Sequence, residues 1–251
     1  MVRIKDIYNY MNSFAPLELQ MDFDNSGFLV GEIDNEVKKV LLALDITMPV
    51  IEEAEETDAQ LIISHHPVIF RSLKSITDEK YLRMIRGAIS ALCMHTNLDV
   101  CDGGVNDVLI EALTGNKAMY KLGDDNCGRV SELETEISLE DFLAFCKEKL
   151  NCAGLRFYDS GRRVKRIGCV GGAGADYLYK AHELGCDTFV SADIKYHEFQ
   201  AAAELGINLI DADHFCTENP VVYMLRDKLS EAFPEVKFNI SSKHRRIISF
   251  H

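Results

Sequence analysis

The chain reads as an α/β protein built on mixed, mostly parallel sheets. Two observations predict this: short runs rich in Val, Ile and Leu alternate with helical-period stretches, and Asp and His residues collect where those runs end. A third sets the scale. With 251 residues, 47% hydrophobic and 27% charged, the chain has room for one large or two modest domains and is neither disordered, collagen-like nor a coiled coil.

The elements come in order. Ile4, Ile7, Tyr8, Met11 and Phe14 recur at helical spacing until Pro16 stops the pattern, which predicts a first helix. Residues 37–45 read as a strand buried on both faces, followed by a helix over 49–57, a strand over 60–64, a helix over 78–86 and a strand over 90–95. Past Gly103-Gly104, residues 105–113 form a helix closed by Gly115. The polar stretch 120–130, with Gly123-Asp124-Asp125-Asn126 and Gly128, marks a domain junction. It separates a first α/β domain, 1–125, from a second, 126–251, whose last strands can pack back on the first.

In the second half, Ser138 with Asp141 opens a helix to Leu150. Strands over 155–159 and 165–170 are joined by a tight turn at Ser160-Gly161. A helix over 175–184 ends at Gly185, a strand covers 188–193, a helix over 197–205 ends at Gly206, and a strand covers 208–213. A helix over 217–229, with Thr217 as its N-cap, and strands over 236–240 and 246–250 complete the chain.

Composition excludes several functions. Forty acidic against 27 basic side chains leave −13, a field that repels phosphodiester backbones and argues against nucleic-acid binding. No apolar run reaches the roughly 18 residues of a membrane span, and the opening Met1-Val2-Arg3-Ile4-Lys5-Asp6 enters a helix without an apolar leader, so a cytoplasmic location is expected. The eight cysteines, with no Cys-x-x-Cys pair, read as reduced, buried thiols.

The chemistry gathers at strand ends, where ligand groups converge in open parallel sheets. Asp45 ends one strand, Ser64-His65-His66-Pro67 the next, and His95-Thr96-Asn97-Leu98-Asp99 a third; Asp193 and His214 hold similar positions later. Adjacent side chains on extended backbone point to opposite sides, so His65 and His66 suit two metal ions roughly 3.5–4 Å apart better than one. A solvated His-His turn is the competing reading. His214 and Glu218 can face one cavity, or Glu218 can serve only the helix dipole. Asp99, Asp102 and Asp107 each offer a carboxylate, and spacing does not choose among them. His95 can be a ligand or can orient one. Gly168-Cys169-Val170-Gly171-Gly172-Ala173-Gly174 follows a strand and opens a helix, but its spacing is not that of a dinucleotide fingerprint or a P-loop. Its amides can hold a phosphate, or the segment is simply a tight turn.

Taken together, seven blocks resemble the type 2 GTP cyclohydrolase I homologue family, also described as Ngg-interacting-factor-three-like dinuclear metal proteins. They are Phe23-Asp24-Asn25-Ser26-Gly27-Phe28-Leu29-Val30-Gly31, Ala43-Leu44-Asp45-Ile46-Thr47, Ile63-Ser64-His65-His66-Pro67-Val68-Ile69-Phe70, His95-Thr96-Asn97-Leu98-Asp99, Gly103-Gly104-Val105-Asn106-Asp107, Asp193-Ile194-Lys195-Tyr196-His197 and Asp213-His214-Phe215-Cys216-Thr217-Glu218. The resemblance implies two interleaved α/β domains with a metal site in the cleft between them, assembled as a homohexameric toroid. It implies His65, His66, Asp99, His214 and Glu218 as metal ligands, with Glu218 bridging, His66 and Asp99 completing one ion, and His65 and His214 the other. Phe23 stands where the family usually has Trp, a change expected to affect packing alone, and the chain lacks room for the middle domain that some relatives insert.

Such a donor set admits two divalent ions, Zn, Mn, Fe, Co or Ni. The implied function is a dinuclear metal hydrolase using a metal-bridging water on a small, nucleotide-type substrate, by cyclohydrolase analogy at C8 of guanine; phosphoester hydrolysis fits the same ions. His95, Asp45, Lys195 and His197 are the candidates for positioning or proton transfer. The alternative is a metal-binding adaptor or regulatory scaffold without turnover.

Overall fold

The structure, a computed structural model, describes residues 1–249. It is mixed α/β, and contacts divide the chain into two compact units: Met1–Cys101 with Val222–Arg245, and Asp102–Val221 with the segment from Arg246.

In the first unit, α1 (Ile4–Phe14) buries Ile4, Ile7 and Met11, the face its spacing predicts. Strands β1 (Gly27–Val30), β2 (Lys39–Ala43), β3 (Leu61–Ser64) and β4 (Ser90–Cys93) alternate with α2 (Met48–Glu56) and α3 (Glu79–Arg86); the short α4 (Thr96–Val100) comes after β4. A strand from the C-terminal part, β11 (Lys237–Ile240), completes a sheet of order β1-β4-β3-β2-β11. Its parallel strands are in register, with Ala43 beside Ser64 and Ser64 beside Cys93. This alignment positions the site. Asp45, His65-His66 and His95 leave neighbouring strands at one edge, where His66 N–H donates to Leu44 O and Met94 N–H to Ser64 O. β1 was not foreseen from the sequence. Its four residues pair antiparallel with β4 at the sheet edge, where one partner sets the strand more than any pattern of its own.

In the second unit, α5 (Val105–Thr114) closes on Gly115, whose φ of 71° is the left-handed conformation a C-terminal glycine supplies. The polar stretch 120–130 is a hairpin. β5 (Tyr120–Lys121) pairs with β6 (Arg129–Ile137) because Asn126 (φ 68°) and Gly128 (φ 70°) supply the left-handed residues the turn requires. Residues 102–125 group with the second unit, and 222–245, which include the strand expected to pack back, group with the first.

Ser138 caps α6 (Leu139–Lys149), accepting from Asp141 N–H. The remaining elements are β7 (Arg156–Tyr158), β8 (Val164–Cys169), α7 (Leu178–Glu183), β9 (Thr188–Ser191), α8 (Tyr196–Leu205), β10 (Asn208–Asp211) and α9 (His214–Ala232). The sheet order is β5-β6-β8-β9-β10-β7, with β8, β9 and β10 parallel. The tight turn at Ser160-Gly161 therefore does not close a hairpin: β7 lies antiparallel to β10 at the opposite side of β9 from β8. The buried Asn208 fixes that path. Its Oδ1 accepts from Ser160 N–H (2.9 Å) and Oγ–H (2.8 Å), and its Nδ2 donates to Arg162 O and Thr188 Oγ1. Helix α9 begins at His214, so Thr217 lies within it and is no N-cap. No strand forms over 246–249, and Phe250 lies outside the described residues.

Each sheet carries its own apolar cluster. Leu41, Ile51, Ile62 and Ala91 anchor the first, and Leu109, Phe142, Ile167, Val190 and Ile210 the second. Among the described residues the eight cysteines are buried and none is in a disulfide, and burial pushes the Cys186 thiol up to about 12. No helix among them is long and apolar enough to cross a membrane.

Replacing Asn208 by Ala leaves several buried groups to find new partners, each at about 1–3 kcal/mol. The Asn208→Ala variant is expected to lose about 2–4 kcal/mol in urea unfolding; an unchanged midpoint and slope would show that the side chain does not hold β7.

Candidate metal centre

The first unit brings three histidines together. The Nε2 or Nδ1 atoms of His65, His66 and His95 provide a set of ligand-type atoms all within 4.8 Å of one another. Their ring centroids lie 5.0, 5.2 and 5.5 Å apart.

Each ring is held at Nδ1 by an acceptor. His65, buried, donates Nδ1–H to Met94 O at 2.8 Å; a carbonyl can only accept, so the neutral ring carries its lone pair on Nε2. His66 Nδ1 is 2.9 Å from Asp45 Oδ1, and His95 Nδ1 is 2.7 Å from Asp24 Oδ1. In both, a carboxylate fixes the same tautomer and turns Nε2 away from the tether. A carboxylate or carbonyl behind the ring is how metal-ligating histidines are oriented.

Asp24 must be ionised to act this way. Burial pushes its carboxyl upward, but hydrogen bonds from His95 and Thr96 outweigh this and hold it well below the usual carboxylate range. Ser26 Oγ, Thr96 N–H and the Asn25 N–H also donate to it, which is what the Asp24-Asn25-Ser26 run supplies.

Of the three carboxylates left open by spacing, Asp99 is the one that approaches the cluster. On α4, its Oδ1 lies 3.6 Å from His65 Nε2. Two ligand atoms each about 2.1 Å from one cation are themselves about 3–3.5 Å apart; at 3.6 Å this pair lies just beyond that, in line with the resemblance, which gives the two residues to different ions. Asp107 is engaged elsewhere, paired at 2.7 Å with the buried Arg129, and Asp102 is exposed beside Lys121 and Arg129. A cavity of about 400 Å³ opens beside His66, lined also by Asp45, Thr47, Pro67, Val68 and Lys80.

The second unit repeats the arrangement with one histidine. His214 Nδ1 is 2.7 Å from Asp193 Oδ2, and its Nε2 is 3.1 Å from Oε2 of the buried Glu218, one turn along α9. Starting the helix at His214 gives this i, i+4 contact. Asp213 makes that start possible: at φ 66° it leaves β10, and its Oδ1 accepts from Cys216 N–H in the manner of an N-cap. Asp193 has the same left-handed backbone, φ 55°, beyond the neighbouring strand β9. Non-glycine residues in this region are uncommon, with Asp among those that tolerate it.

The glycine segment packs behind this pair. A Cβ on Gly172 (φ 64°) would stand 2.2 Å from Glu218 Oε1 and 3.1 Å from His214. Its amides are already taken: Gly171 N–H donates to Asn106 Oδ1, Gly172 N–H to Thr217 Oγ1 and Gly174 N–H to Ser191 Oγ. It is a close-packed turn, not a phosphate cradle. Lys195 and His197 are exposed at the start of α8, His197 at 71% of its side chain and 3.8 Å from Glu198. Asp24 is the positioning carboxylate that spacing did not single out, and Asp193 was marked only as a strand-end residue; each lies inside a quoted motif, but nothing in the sequence says which histidine it holds.

Replacing Gly172 by Ala imposes about 1–2 kcal/mol of left-handed strain and displaces Glu218. Thermal unfolding of Gly172→Ala is expected at a lower midpoint than wild type, and an unchanged midpoint would contradict the close approach.

Comparison with known proteins agrees with the motifs. The profile of Duf34/NIF3 (NGG1p interacting factor 3) matches residues 2–246. A Clostridium perfringens protein called GTP cyclohydrolase 1 type 2 homolog is 35% identical over 99% of this chain and 100% of its own, and a Campylobacter jejuni protein of that name is 37% identical over 86% and 88%. The crystal structure of a Staphylococcus aureus hypothetical protein superposes with a TM-score of 0.91 at 29% identity, covering 99% of each chain. The chain is a member of the Duf34/NIF3 family.

Proposed function

We propose that the chain is a dinuclear metal-dependent hydrolase acting on a small, nucleotide-type substrate. His65, His66, Asp99, His214 and Glu218 are the residues that would hold the ions. The observation that carries this reading is the shared tether: four rings each have Nδ1 occupied by an acceptor, leaving Nε2 as the donor atom. Imidazole and carboxylate suit Zn, Mn, Fe, Co or Ni alike. The name GTP cyclohydrolase 1 type 2 homolog, borne by relatives, supports a guanine nucleotide as the substrate to test first.

When bound, paired divalent cations supply Lewis acidity and make a water acidic enough to serve near neutrality. The protein's own groups orient and exchange protons. Asp45 and Asp193, each 54% exposed at the side chain, hold His66 and His214 while reaching solvent, and can pass protons at their carboxylates. Asp24 is buried and positions His95, which faces the same group of nitrogens. Lys195 and His197 lie two and four residues beyond Asp193, where they can meet a substrate's polar groups. Buried thiols, none in a disulfide among the described residues, support a reducing, cytoplasmic setting, and the family resemblance supports a homohexamer.

A second reading is a metal-binding adaptor without turnover, which the family description as an interacting factor favours. Full-length protein, reconstituted with each metal, separates them when incubated with GTP and with generic phosphodiesters. Turnover that Glu218→Gln abolishes while the fold is retained supports the hydrolase; no turnover with any metal supports the adaptor. Elemental analysis is expected to give about two ions per chain, as the dinuclear reading requires. His65→Ala is expected to lose at least one of them, and wild-type protein that takes up no metal would overturn both readings.

A further inference from the structure

Two exposed aromatic rings sit on the segments that build the histidine cluster. Phe70 is 44% exposed and Phe23 is 63% exposed. Phe70 comes four residues after His66, and its ring stands edge-on to His95, with centroids 6.3 Å apart and planes at 82°. Phe23 immediately precedes Asp24, the group that holds His95. The two segments are tied together by Asn25 Nδ2, which donates to Ile69 O at 2.5 Å, and Tyr81 Oη of α3 holds the second by donating to Val68 O at 3.0 Å. Both rings are therefore mounted on backbone fixed by hydrogen bonds, and the Phe70 ring lies beside His95, whose nitrogen belongs to the ligand-type group.

An exposed Phe gains nothing from water on its open face, whereas a planar heteroaromatic ring stacked there buries apolar area on both partners. We infer that Phe70, with Phe23 on the adjoining segment, is a stacking platform that positions the planar ring of a heteroaromatic substrate beside the His65, His66 and His95 cluster. This rests on the proposed nucleotide-type substrate and names the residues that hold its base. The rings touch the substrate's flat part and take no share in the proton or metal chemistry.

The test compares ligands with and without a ring. Isothermal titration measures GTP, ATP and CTP against inorganic tripolyphosphate on zinc-loaded full-length protein. Phe70→Ala is expected to weaken the nucleotides about 5- to 100-fold, the range of one lost base–aromatic stack. Phe70→Tyr should retain wild-type affinity, Phe70→Leu should not, and tripolyphosphate affinity and zinc content should stay unchanged in all three. Phe23→Ala should weaken the nucleotides in the same selective way. Equal weakening of nucleotides and tripolyphosphate overturns the platform, as does a wild type that binds nucleotides no tighter than tripolyphosphate. A Phe70→Ala variant whose assembly mass changes while nucleotide affinity is kept overturns it too, making Phe70 a contact between copies. Failure of the hydrolase reading shows separately, as absent zinc uptake or absent turnover.

Discussion

The candidate site depends on one interaction made four times: an acceptor behind an imidazole. A histidine on a loop has two nitrogens and a rotatable ring, so by itself it offers a ligand atom in no fixed direction. Met94 O, Asp45, Asp24 and Asp193 remove that freedom. Each occupies Nδ1, and each thereby assigns the proton and the direction of Nε2. The tethers differ in burial. The carbonyl behind His65 and the carboxylate of Asp24 lie inside the first unit, while Asp45 and Asp193 reach solvent.

These tethers exist because of strand register. Ser64 lies beside Ala43 on one side and Cys93 on the other, so the residues just past the ends of the three strands emerge level with each other. A slip of one residue would turn His65 and His66 to exchanged faces and separate His66 from Asp45. In the second unit, Asp211 beside Ser191 plays the same part, and the left-handed Asp193 and Asp213 just beyond turn the chain so that His214 can open a helix and meet Glu218 one turn later. Gly172 then has no room for a side chain, because the carboxylate of Glu218 occupies that space.

Much of this was legible in the sequence. The alternation of apolar runs and helical stretches carried the parallel strands β2, β3, β4, β8, β9 and β10, since a strand covered on both faces reads as a continuous apolar run. Gly115 and Gly206 marked helix ends because glycine takes φ near 70° without the steric cost of a Cβ. The strand ends bearing Asp and His marked the site. What escaped was non-local. β1 and β5 are edge strands whose pairing partners lie far along the chain or across a turn. The tight turn read at Ser160-Gly161 does not say whether the strands it joins pair with each other, and Asn208, some fifty residues later, holds β7 elsewhere. Thr217 looked like a cap by residue type, but Asp213 fills that role and Thr217 Oγ1 bonds to backbone carbonyls of the preceding turn.

The sequence by itself determined the fold class, the order of most elements, the Duf34/NIF3 motifs and the residue types gathered at the strand ends, because periodicity, glycine punctuation and short motifs are local properties of a chain. Tertiary structure alone decided which carboxylate faces which ring, that Asp99 and not Asp102 or Asp107 approaches His65, and that the glycine turn packs against Glu218 instead of offering its amides. Those outcomes depend on register and on who occupies each hydrogen-bonding group, and neither quantity is written in the spacing of residues along the chain.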